Sequence, residues 1–344
     1  MKNISVLDCT LRDGGYVNDW SFGENVIEDI LHKLCRTNVD ILEIGFLRNE
    51  PYNPNRVVFP SMEQVQKLSG RLKRKGSKPK LAVMAEIAHP IPLDMIEPSE
   101  MNDIDIIRVI VWKSKHINGK TVDALQDSYA YCKEIVKKGY QLCIQPNRTD
   151  QYSDTEFEDM VKMFRELSPM AIYVVDSWGT MYSNQVLHYM DLADNILEKN
   201  ISIGFHGHNN MMQVFGTAEK IVEHGYDRNI ILDASVYGIG RGAGNLNLEL
   251  ITKYLNEIHG SQYLIDPILE IYDDYLRDLR KKHVWGSSMP FTVSAAYGAN
   301  PNYASYFDQV LSVVQMKKAF QSMTEYDKVL YTSELAQRYQ KEIV

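Results

Sequence analysis

The sequence predicts a (β/α)8 barrel of parallel strands followed by a helical extension. Eight short apolar, β-branched segments alternate mostly with amphipathic helical patterns, and these segments are nearly continuous in hydrophobicity, as strands buried on both faces require. No further strand-like segment follows residue 260. The length of 344 residues suits a barrel of roughly 250 residues with an appendage of under about 100. We therefore divide the chain into a barrel, 1–260, and an extension, 261–344.

The barrel prediction depends on a regular succession of strands. The predicted strands are Ile4–Leu11, Asp40–Phe46, Leu81–Ile87, Ile104–Trp112, Gln141–Gln145, Ala171–Asp176, Ile201–His206 and Ile230–Ser235. Helical spacing predicts helices between them, such as Glu24–Leu34, Val122–Lys138 and Met212–His224. An open doubly wound sheet is the alternative, but it would need a Gly-x-Gly-x-x-Gly segment after its first strand, and that segment is absent there.

The extension begins with apolar residues at helical spacing, a pattern typical of core packing or of a subunit contact. These residues are Ile265, Ile268, Leu269, Ile271, Leu276 and Leu279. Two long loops in the barrel, Leu47–Pro60 and His89–Ser99, contain prolines. Long loops at the mouth of a barrel are usually functional, so we expect both to cover the site.

Composition excludes several classes of protein. The formal net charge of −8 argues against a broad surface for nucleic acid or anionic membranes. No segment approaches about 18 uninterrupted apolar residues, and no export signal is recognisable, so we expect a cytoplasmic protein without a membrane span. The cysteines form no Cys-x-x-Cys pair and lie in apolar segments, as reduced thiols do: Cys9, Cys35, Cys132 and Cys143.

The sharpest local pattern is a His-x-His pair, His206 and His208, at the end of the seventh predicted strand. Residues two apart in an extended segment point the same way, so both imidazoles can converge on one ion. Asp13 follows the first strand, and in a barrel the carboxyl ends of the strands meet at one face. Two imidazoles and a carboxylate suit a divalent cation that keeps positions open for a 2-keto acid. We expect Mn²⁺ first, with Mg²⁺, Co²⁺, Fe²⁺ or Zn²⁺ as alternatives. Taken alone, Asp13 could instead be an ordinary residue of the turn before Gly14.

Two charged residues near this group are candidate catalytic residues. Arg12 is a permanently charged donor able to stabilise an enolate oxygen. Glu43 lies in the apolar second strand and needs a partner there. An Arg12–Glu43 ion pair would fix the direction of the guanidinium, and the structural and the catalytic role are compatible.

The glycine-rich segment Gly238–Gly244 follows the eighth strand. In a barrel this position commonly binds phosphate or carboxylate through backbone N–H groups at a helix start. Arg241 and Gly242 are therefore candidate substrate-binding residues. The alternative is a tight turn ahead of a helix that begins near Asn245.

In combination, these motifs resemble the DRE-TIM metallolyase superfamily over essentially residues 1–258, and within it most closely the 4-hydroxy-2-oxovalerate aldolases. The matching pieces are Arg12-Asp13-Gly14, Glu43, Gly204–Asn209 and Gly240–Asn245. The resemblance implies that Asp13, His206 and His208 bind a divalent metal, that Arg12 stabilises an enolate and that Asn245 lies at or near the metal.

The resemblance also implies substrate contacts outside the metal group. Asp176 and Ser177, in the segment Asp-Ser-Trp-Gly after the sixth strand, would line the pocket. Tyr297, in Ala-Ala-Tyr-Gly, matches the helical extension of the aldolases and is a further candidate for substrate binding.

One position departs from the family. Where the aldolase motif continues to a histidine that serves as general base, this chain has Tyr16. A phenol with a pKa near ~10 is a poor base at neutral pH, so Tyr16 either acts as a neutral acid or orienting donor, or another group takes the proton. Other candidates at strand ends are Lys113, His116, Asn147 and Arg148.

The function predicted from these residues is a class II aldolase or lyase that joins or separates a pyruvate-type 2-keto acid and an aldehyde. A Claisen-type synthase that condenses an acyl-CoA with a keto acid is the first alternative, and a barrel retained for binding with its catalysis lost is another. A hydrolase of the amidohydrolase kind fits less well, because its His-x-His pair belongs to the first strand. The extension is expected to contact a dehydrogenase partner or to form a homodimer.

Overall fold

The structure is a computed structural model that describes residues 4–74, 79–117 and 120–343, with the backbone alone for 115–117 and 120–122. Eight parallel strands close into a barrel, because β1 pairs with β8 through Ile4–Asp8 and Ile230–Ala234 and also with the start of β2. The predicted barrel is confirmed. Strands β1 to β8 are Ile4–Asp8, Ile41–Leu47, Lys80–Glu86, Ile106–Val111, Gln141–Pro146, Ala171–Asp176, Ser202–Gly207 and Ile230–Ala234.

Helices surround the barrel, with one exception. Helices α1 to α7 are Glu24–Leu34, Met62–Ser69, Leu125–Lys137, Asp154–Arg165, Ser183–Ile196, Val214–His224 and Leu248–His259. Residues 87–105, all of them described, connect β3 to β4 through two 3-10 turns, Leu93–Met95 and Ser99–Met101, in place of an α-helix. Three prolines in this connection lack the N–H donors that a helix interior needs.

The two largest boundary errors, of three residues each, have local causes. The first strand ends at Asp8, not at Leu11, because the Asp8 carboxylate accepts hydrogen bonds from the backbone N–H and the hydroxyl of Thr10 at 3.1 and 2.6 Å and turns the chain. The predicted helix Val122–Lys138 begins only at Leu125, because Lys120–Asp123 pairs with Ser114–Ile117 in an antiparallel hairpin. This hairpin stands at the carboxyl end of β4.

The interior of the barrel is filled by an apolar cluster that separates the two ends of the molecule. Its residues are Leu7, Cys9, Ile41, Ala82, Ile106, Cys143, Ala171, Tyr173, Val175 and Ile231. A second and larger cluster lies between strands and helices. Each fully buried aliphatic side chain contributes about 1.5–3 kcal/mol, so this packing holds the strand ends in place. Cys9, Cys132 and Cys143 are buried thiols, and Cys35 is partly buried.

The extension is helical throughout its described length. Helix α8, Asp266–Ile271, passes through a π-helical segment, Tyr272–Leu276, into α9, Arg277–Lys282. Helices α10 to α14 follow as Met289–Ala296, Pro301–Phe307, Val313–Ser322, Glu325–Val329 and Ser333–Ile343. Among the described helices, none has the length and hydropathy needed to span a membrane.

The two parts of the extension pack differently. The apolar stripe of α8 packs against the barrel, because Ile268 and Ile271 belong to the barrel's own hydrophobic core. Leu269 of the same helix is 48% exposed. A separate core, with Tyr303 and Phe320 at its centre, begins only after α9. The division of the chain into barrel and extension at residue 260 therefore stays a prediction. The second hydrophobic core starts some thirty residues after that position.

Candidate active site

The structure brings Asp13, His206 and His208 together at the carboxyl end of the barrel. His206 lies in β7, His208 follows it, and Asp13 sits in the turn after β1. One carboxylate oxygen and one nitrogen of each imidazole lie within 4.8 Å of one another, and all three side chains are buried. The Asp13 Oδ2 to His206 Nε2 distance is 3.5 Å.

The ring orientation of both histidines is fixed by their other nitrogen. His206 Nδ1 lies 3.0 Å from Asp233 Oδ2, and His208 Nδ1 lies 3.1 Å from the Arg241 carbonyl oxygen. An acceptor at Nδ1 selects the tautomer in which Nε2 keeps its lone pair, which is the usual arrangement around metal-binding histidines. Burial lowers the pKa of His208 to about 4, so this imidazole is neutral and able to ligate at pH 7.

The Asp13 carboxylate stays ionised in spite of its burial. Burial by itself would raise the pKa of Asp13, but Arg12, followed by His208 and His206, outweighs it and holds the pKa below its usual range. Arg12 Nη1 donates to Oδ2, and Asn245 Nδ2 donates to Oδ1 at 3.0 Å. The Asp13 carboxylate is thus charged and held in one orientation.

Asn245 lies against the Asp13 carboxylate through its amide nitrogen, and its place as a neighbour of the metal stays a prediction. Its Oδ1 is buried and has no hydrogen-bond partner among the described residues. Gly240 allows this approach, because a Cβ at that position would lie 2.3 Å from Asn245 Nδ2 and 2.7 Å from Asp13 Oδ1. An unmet buried acceptor is costly, so the amide oxygen is available as a further ligand.

A chain of buried charges supports the group from below, inside the barrel. Glu43 Oε2 lies 2.6 Å from Arg12 Nε and 2.7 Å from Arg108 Nη1, and Arg108 in turn pairs with Asp233. The expected Arg12–Glu43 ion pair is present. Because Asp233 also contacts His206, the chain joins the arginine at the mouth to one of the imidazoles.

Sequence reasoning missed Arg108 and Asp233. Both lie in strands that are otherwise apolar, Ile-Ile-Arg108-Val-Ile-Val and Ile-Ile-Leu-Asp233-Ala, and both are fully buried. The signal that pointed to Glu43, a charge in an apolar strand, was equally present at these two positions.

The donor set of the buried group fits a bound cation. The Asp13 carboxylate is ionised, and both imidazoles have their Nδ1 held by an acceptor, which leaves Nε2 free. Together with the unmet Asn245 oxygen, these atoms are ligands that suit a divalent cation.

A cavity of about 70 Å³ opens above these groups. Its size suits a small ligand, since one water molecule takes ~30 Å³ in the liquid. It is lined by Arg12, Asp13, Tyr16, Met84, Ile110, Gln145, Asn147, Val175, Ser177, His206, His208 and Arg241.

The predicted site residues divide into those that line this cavity and those that do not. Ser177 and Arg241 belong to the described lining, together with Arg12 and Tyr16. Glu43, Asp176, Gly242, Asn245 and Tyr297 are not part of it. Glu43 lies beneath Arg12 as its ion-pair partner. Asp176 accepts the backbone N–H groups of Thr180 and Met181 at 2.9 and 3.1 Å, and burial raises its pKa to about 7.

Gly242 and Tyr297 have local structural roles. Gly242 has a φ of 63°, a conformation that glycine adopts without strain, and it lies against the Asn210 side chain. Tyr297 ends α10 and packs against the second hydrophobic core of the extension.

The glycine-rich segment forms a turn that faces the protein. The backbone N–H groups of Arg241 and Ala243 donate to Asp13 Oδ1 and Asn210 Oδ1, at 3.4 and 3.1 Å, and that of Asn245 donates to the Gly238 carbonyl. These donors are used within the chain, which favours the tight turn over an anion-binding loop. The following helix begins at Leu248.

Arg241 links the site to the extension. Its Nη2 donates to Asn300 Oδ1 at 3.0 Å and to Asn302 Oδ1 at 3.2 Å, at the start of α11. Ala243, Phe291 and Ala304 form an apolar contact next to it. The extension thus packs across the mouth of the barrel and fixes one side of the cavity.

Tyr16 stands at the opposite side in an aromatic setting. Its ring packs edge-on against Trp20 and Phe46, with centroid distances of 4.8 and 6.3 Å. Tyr16 is 37% exposed as a whole, but the desolvation of its hydroxyl at the cavity wall, together with the charge of Glu86, raises the pKa of Tyr16, so the phenol is neutral at pH 7. Arg48, from the first long loop, stacks on Trp20 and pairs with Glu86 at 2.9 Å.

The remaining strand-end candidates lie outside the metal group. Asn147 lines the small cavity, whereas Lys113 and Arg148 line a different one described below. The side chain of His116 lies outside the described part of the structure. The two long loops contribute Arg48 and His89 around Glu86, and their role as covers stays a prediction.

Comparison with known proteins places the chain in a family. The family model described as HMGL-like matches residues 3–270. The chain belongs to the HMGL-like family. This membership confirms the resemblance to the DRE-TIM metallolyases, a divalent-metal-dependent group.

Individual relatives of the HMGL-like chain are distant. A 4-hydroxy-2-oxovalerate aldolase of Geobacillus genomosp. 3 is 22% identical over 284 residues, which cover 78% of each chain. An oxaloacetate decarboxylase of Mycobacterium tuberculosis is 21% identical over 250 residues, 73% of this chain and 69% of that one. The HMG-CoA lyase of Brucella melitensis has a TM-score of 0.64 at 13% identity and covers 82% of this chain and all of its own; this likeness shows the fold alone.

Proposed function

We propose that this protein is a divalent-metal-dependent aldolase that forms or cleaves a carbon–carbon bond between a pyruvate-type 2-keto acid and an aldehyde. The observation that carries the proposal is the buried Asp13–His206–His208 group beside Arg12, in a small cavity at the carboxyl face of the barrel. Family membership supports it, and so do the distant relatives, since 4-hydroxy-2-oxovalerate and oxaloacetate are both 2-keto acids. The prediction of a carbon–carbon lyase is confirmed at this level.

Asp13, His206 and His208, with Asn245 as a further ligand, would hold the cation. A bound divalent cation supplies Lewis-acid polarisation of the keto group and so favours the enolate. The Mn²⁺ assignment rests on the donor set. Two imidazole nitrogens with carboxylate and amide oxygens suit a cation that accepts both nitrogen and oxygen ligands, as Mn²⁺ does.

Arg12 is placed to stabilise the enolate oxygen. Glu43 holds its Nε and Asp13 holds its Nη1, so the guanidinium cannot turn away, and Nη2 has no hydrogen-bond partner within the described residues. A donor fixed before the reaction stabilises developing charge without reorganisation. Glu43 acts through Arg12 and is a positioning residue.

Tyr16 would serve as the proton donor in the direction of bond formation. The enolate carbon attacks the aldehyde carbon, the carbonyl electron pair moves to the aldehyde oxygen, and that oxygen takes the phenolic proton. Because its pKa is raised, Tyr16 carries this proton at pH 7, and after the step the resulting phenolate takes a proton back from solvent. Ser177, Asn147 and Gln145 provide polar atoms in the lining for the keto-acid carboxylate.

Two further parts of the proposal concern the binding partners and the cellular location of the enzyme. A dehydrogenase partner or a second copy bound through the extension is supported by exposed apolar side chains there, such as Met289 at 61% and Val314 at 65%. A cytoplasmic location is supported by the free, mostly buried thiols.

The test of this function is the exchange of pyruvate methyl protons in D₂O, followed by proton NMR with Mn²⁺ and with chelator. This measures enolate formation without any aldehyde. We expect metal-dependent exchange in the native chain and in the control variant Asp308→Ala, which changes an exposed aspartate, and loss of exchange in Asp13→Ala. Absence of exchange in a native chain that binds Mn²⁺ would contradict the proposal for pyruvate.

A further inference from the structure

A second and much larger cavity adjoins the small one at the metal group. It has a volume of about 760 Å³, and most of its exposed wall surface is apolar. Six of the fifteen described lining residues are apolar or aromatic, namely Trp112, Leu125, Tyr152, Met160, Met163 and Val329, and the other nine are polar or charged. Asn147 lines both cavities, so a single residue stands between the two spaces. We call the larger space the side cavity.

The side cavity lies on the catalytic face of the barrel. Trp112 directly follows β4, and Asn147 and Arg148 directly follow β5, so the carboxyl ends of two strands form its inner wall. Val329, the last residue of α13, closes it from the extension. A ligand that crosses from one space to the other stays at the end of the barrel where catalysis takes place.

The junction between the two cavities is built rigidly. Ser177 Oγ donates to Asn147 Oδ1 at 2.8 Å and accepts from the Arg148 backbone N–H at 3.0 Å. Arg148 has a φ of 58°, which is unfavourable for a residue with a side chain, and its guanidinium stacks 3.3 Å above the Trp178 ring. Strained backbone of this kind persists where the surrounding structure requires it, often next to a ligand.

The charges of the side cavity disfavour an anionic ligand. Lys113 Nζ pairs with Glu156 at 2.7 Å, and Arg148 pairs with Asp150 at 2.6 Å, so both basic residues of the described wall are neutralised. Asp123 and Asp159 add further negative charge to the lining.

The polar atoms of the wall include unmet donors. Trp112 Nε1 and Tyr152 OH are buried and have no hydrogen-bond partner in the described part of the chain. Because both atoms are closed to solvent, they add no accessible donor to the cavity wall, and the surface that a ligand would meet is mainly apolar.

We propose that the side cavity holds the body of the aldehyde, and that this aldehyde is a neutral, extended molecule with an apolar or aromatic chain. The inference rests on the aldolase function proposed above and names its second substrate by class. The small cavity accommodates the keto acid, the aldehyde carbonyl reaches the enolate past Asn147, and the chain of the aldehyde fills the space between Trp112 and Val329.

The first experiment measures binding of an unreactive probe. 3-Phenylpropan-1-ol is titrated into the full chain by saturation-transfer NMR, with 3-phenylpropanoate as a charged probe of equal length. Val329→Trp fills the cavity from a position 41% exposed, and Val310→Trp introduces the same change at a position of equal exposure away from the side cavity. We expect the native chain and Val310→Trp to bind the alcohol, Val329→Trp to bind it at least ~10-fold more weakly, and the carboxylate to bind more weakly than the alcohol.

The second experiment measures turnover. With pyruvate as donor, kcat/KM for 3-phenylpropanal should exceed that for acetaldehyde, and Val329→Trp should lower this ratio ~10-fold while Val310→Trp leaves it unchanged. Equal binding of the alcohol by native chain and Val329→Trp, or tighter binding of the carboxylate, overturns the inference. Binding at the side cavity without pyruvate exchange would instead contradict the aldolase function, so the two failures are distinguishable.

Discussion

Replacing Asp233 with asparagine tests whether the buried charge chain sets the affinity for metal. Asp233 Oδ2 contacts His206 Nδ1 at 3.0 Å and also pairs with Arg108, and all three side chains are buried. Asparagine has nearly the same shape but no charge. The substitution therefore leaves Arg108 with Glu43 as its remaining partner and removes the carboxylate that makes the His206 ring a stronger ligand.

The expected magnitudes follow from these two losses. Removing a hydrogen-bonded partner from a metal-ligating histidine costs about 10–100-fold in metal affinity. Breaking a buried ion pair by removing one member lowers the free energy of unfolding by about 3–5 kcal/mol. The amide oxygen of the introduced asparagine still accepts one hydrogen bond. We therefore expect both the loss of metal affinity and the loss of stability to lie at the lower end of these ranges.

The assay needs a control that separates stability from ligation. Mn²⁺ affinity is measured by electron paramagnetic resonance of the free ion, and stability by urea unfolding of the metal-free protein. Asp194→Asn is the matched variant, because Asp194 Oδ1 accepts from the buried Arg228 Nε at 2.5 Å on the outside of the barrel. Both variants should be less stable, but only Asp233→Asn should bind Mn²⁺ more weakly. Native affinity in a folded Asp233→Asn protein would refute the reasoning.

Two further predictions concern protons. Tyr16→Phe should lower aldol addition ~100-fold and leave Mn²⁺ affinity unchanged, because the phenol donates a proton and does not ligate; undiminished addition by the variant would exclude that role. Burial raises the pKa of Asp8 to about 7, from about 3.9 for an unperturbed aspartate. Between about pH 4 and pH 7 the folded chain therefore binds more protons at Asp8 than the unfolded chain. This contribution lowers the free energy of unfolding as pH rises through that window. Asp8→Asn should remove it, so in urea unfolding the variant should lose less stability than the native chain between pH 4.5 and pH 7.5. An identical pH dependence in both proteins would contradict the assignment.

The parts of the fold that the sequence predicted are those governed by local pattern. The strand β6, Ala171–Asp176, and the helix α1, Glu24–Leu34, have the predicted bounds, because burial on both faces and amphipathic spacing leave direct traces in the chain. The His206-x-His208 pair was recognisable for the same reason: alternation along a strand places both rings on one side.

The parts that escaped prediction depend on closure of the barrel. A charge in an apolar strand marks Arg108 and Asp233 individually, but the two residues are 125 positions apart and meet only across the barrel interior, so their pairing with each other is not indicated by either strand. The glycine-rich segment was open to two interpretations because its N–H groups find acceptors in distant side chains, Asp13 and Asn210. The side cavity likewise needs residues that follow β4 and β5 together with residues of α4 and α13, which sequence spacing does not connect.

The hydrogen bonds from Arg241 to Asn300 and Asn302 have a consequence for engineering. The arginine belongs to the barrel, yet its direction is set by two side chains of the extension. A chimera that grafts a relative's extension onto this barrel would change the position of a cationic group at the mouth unless both asparagines are transferred with it. Barrel and extension should therefore be exchanged, or evolved in the laboratory, as one unit.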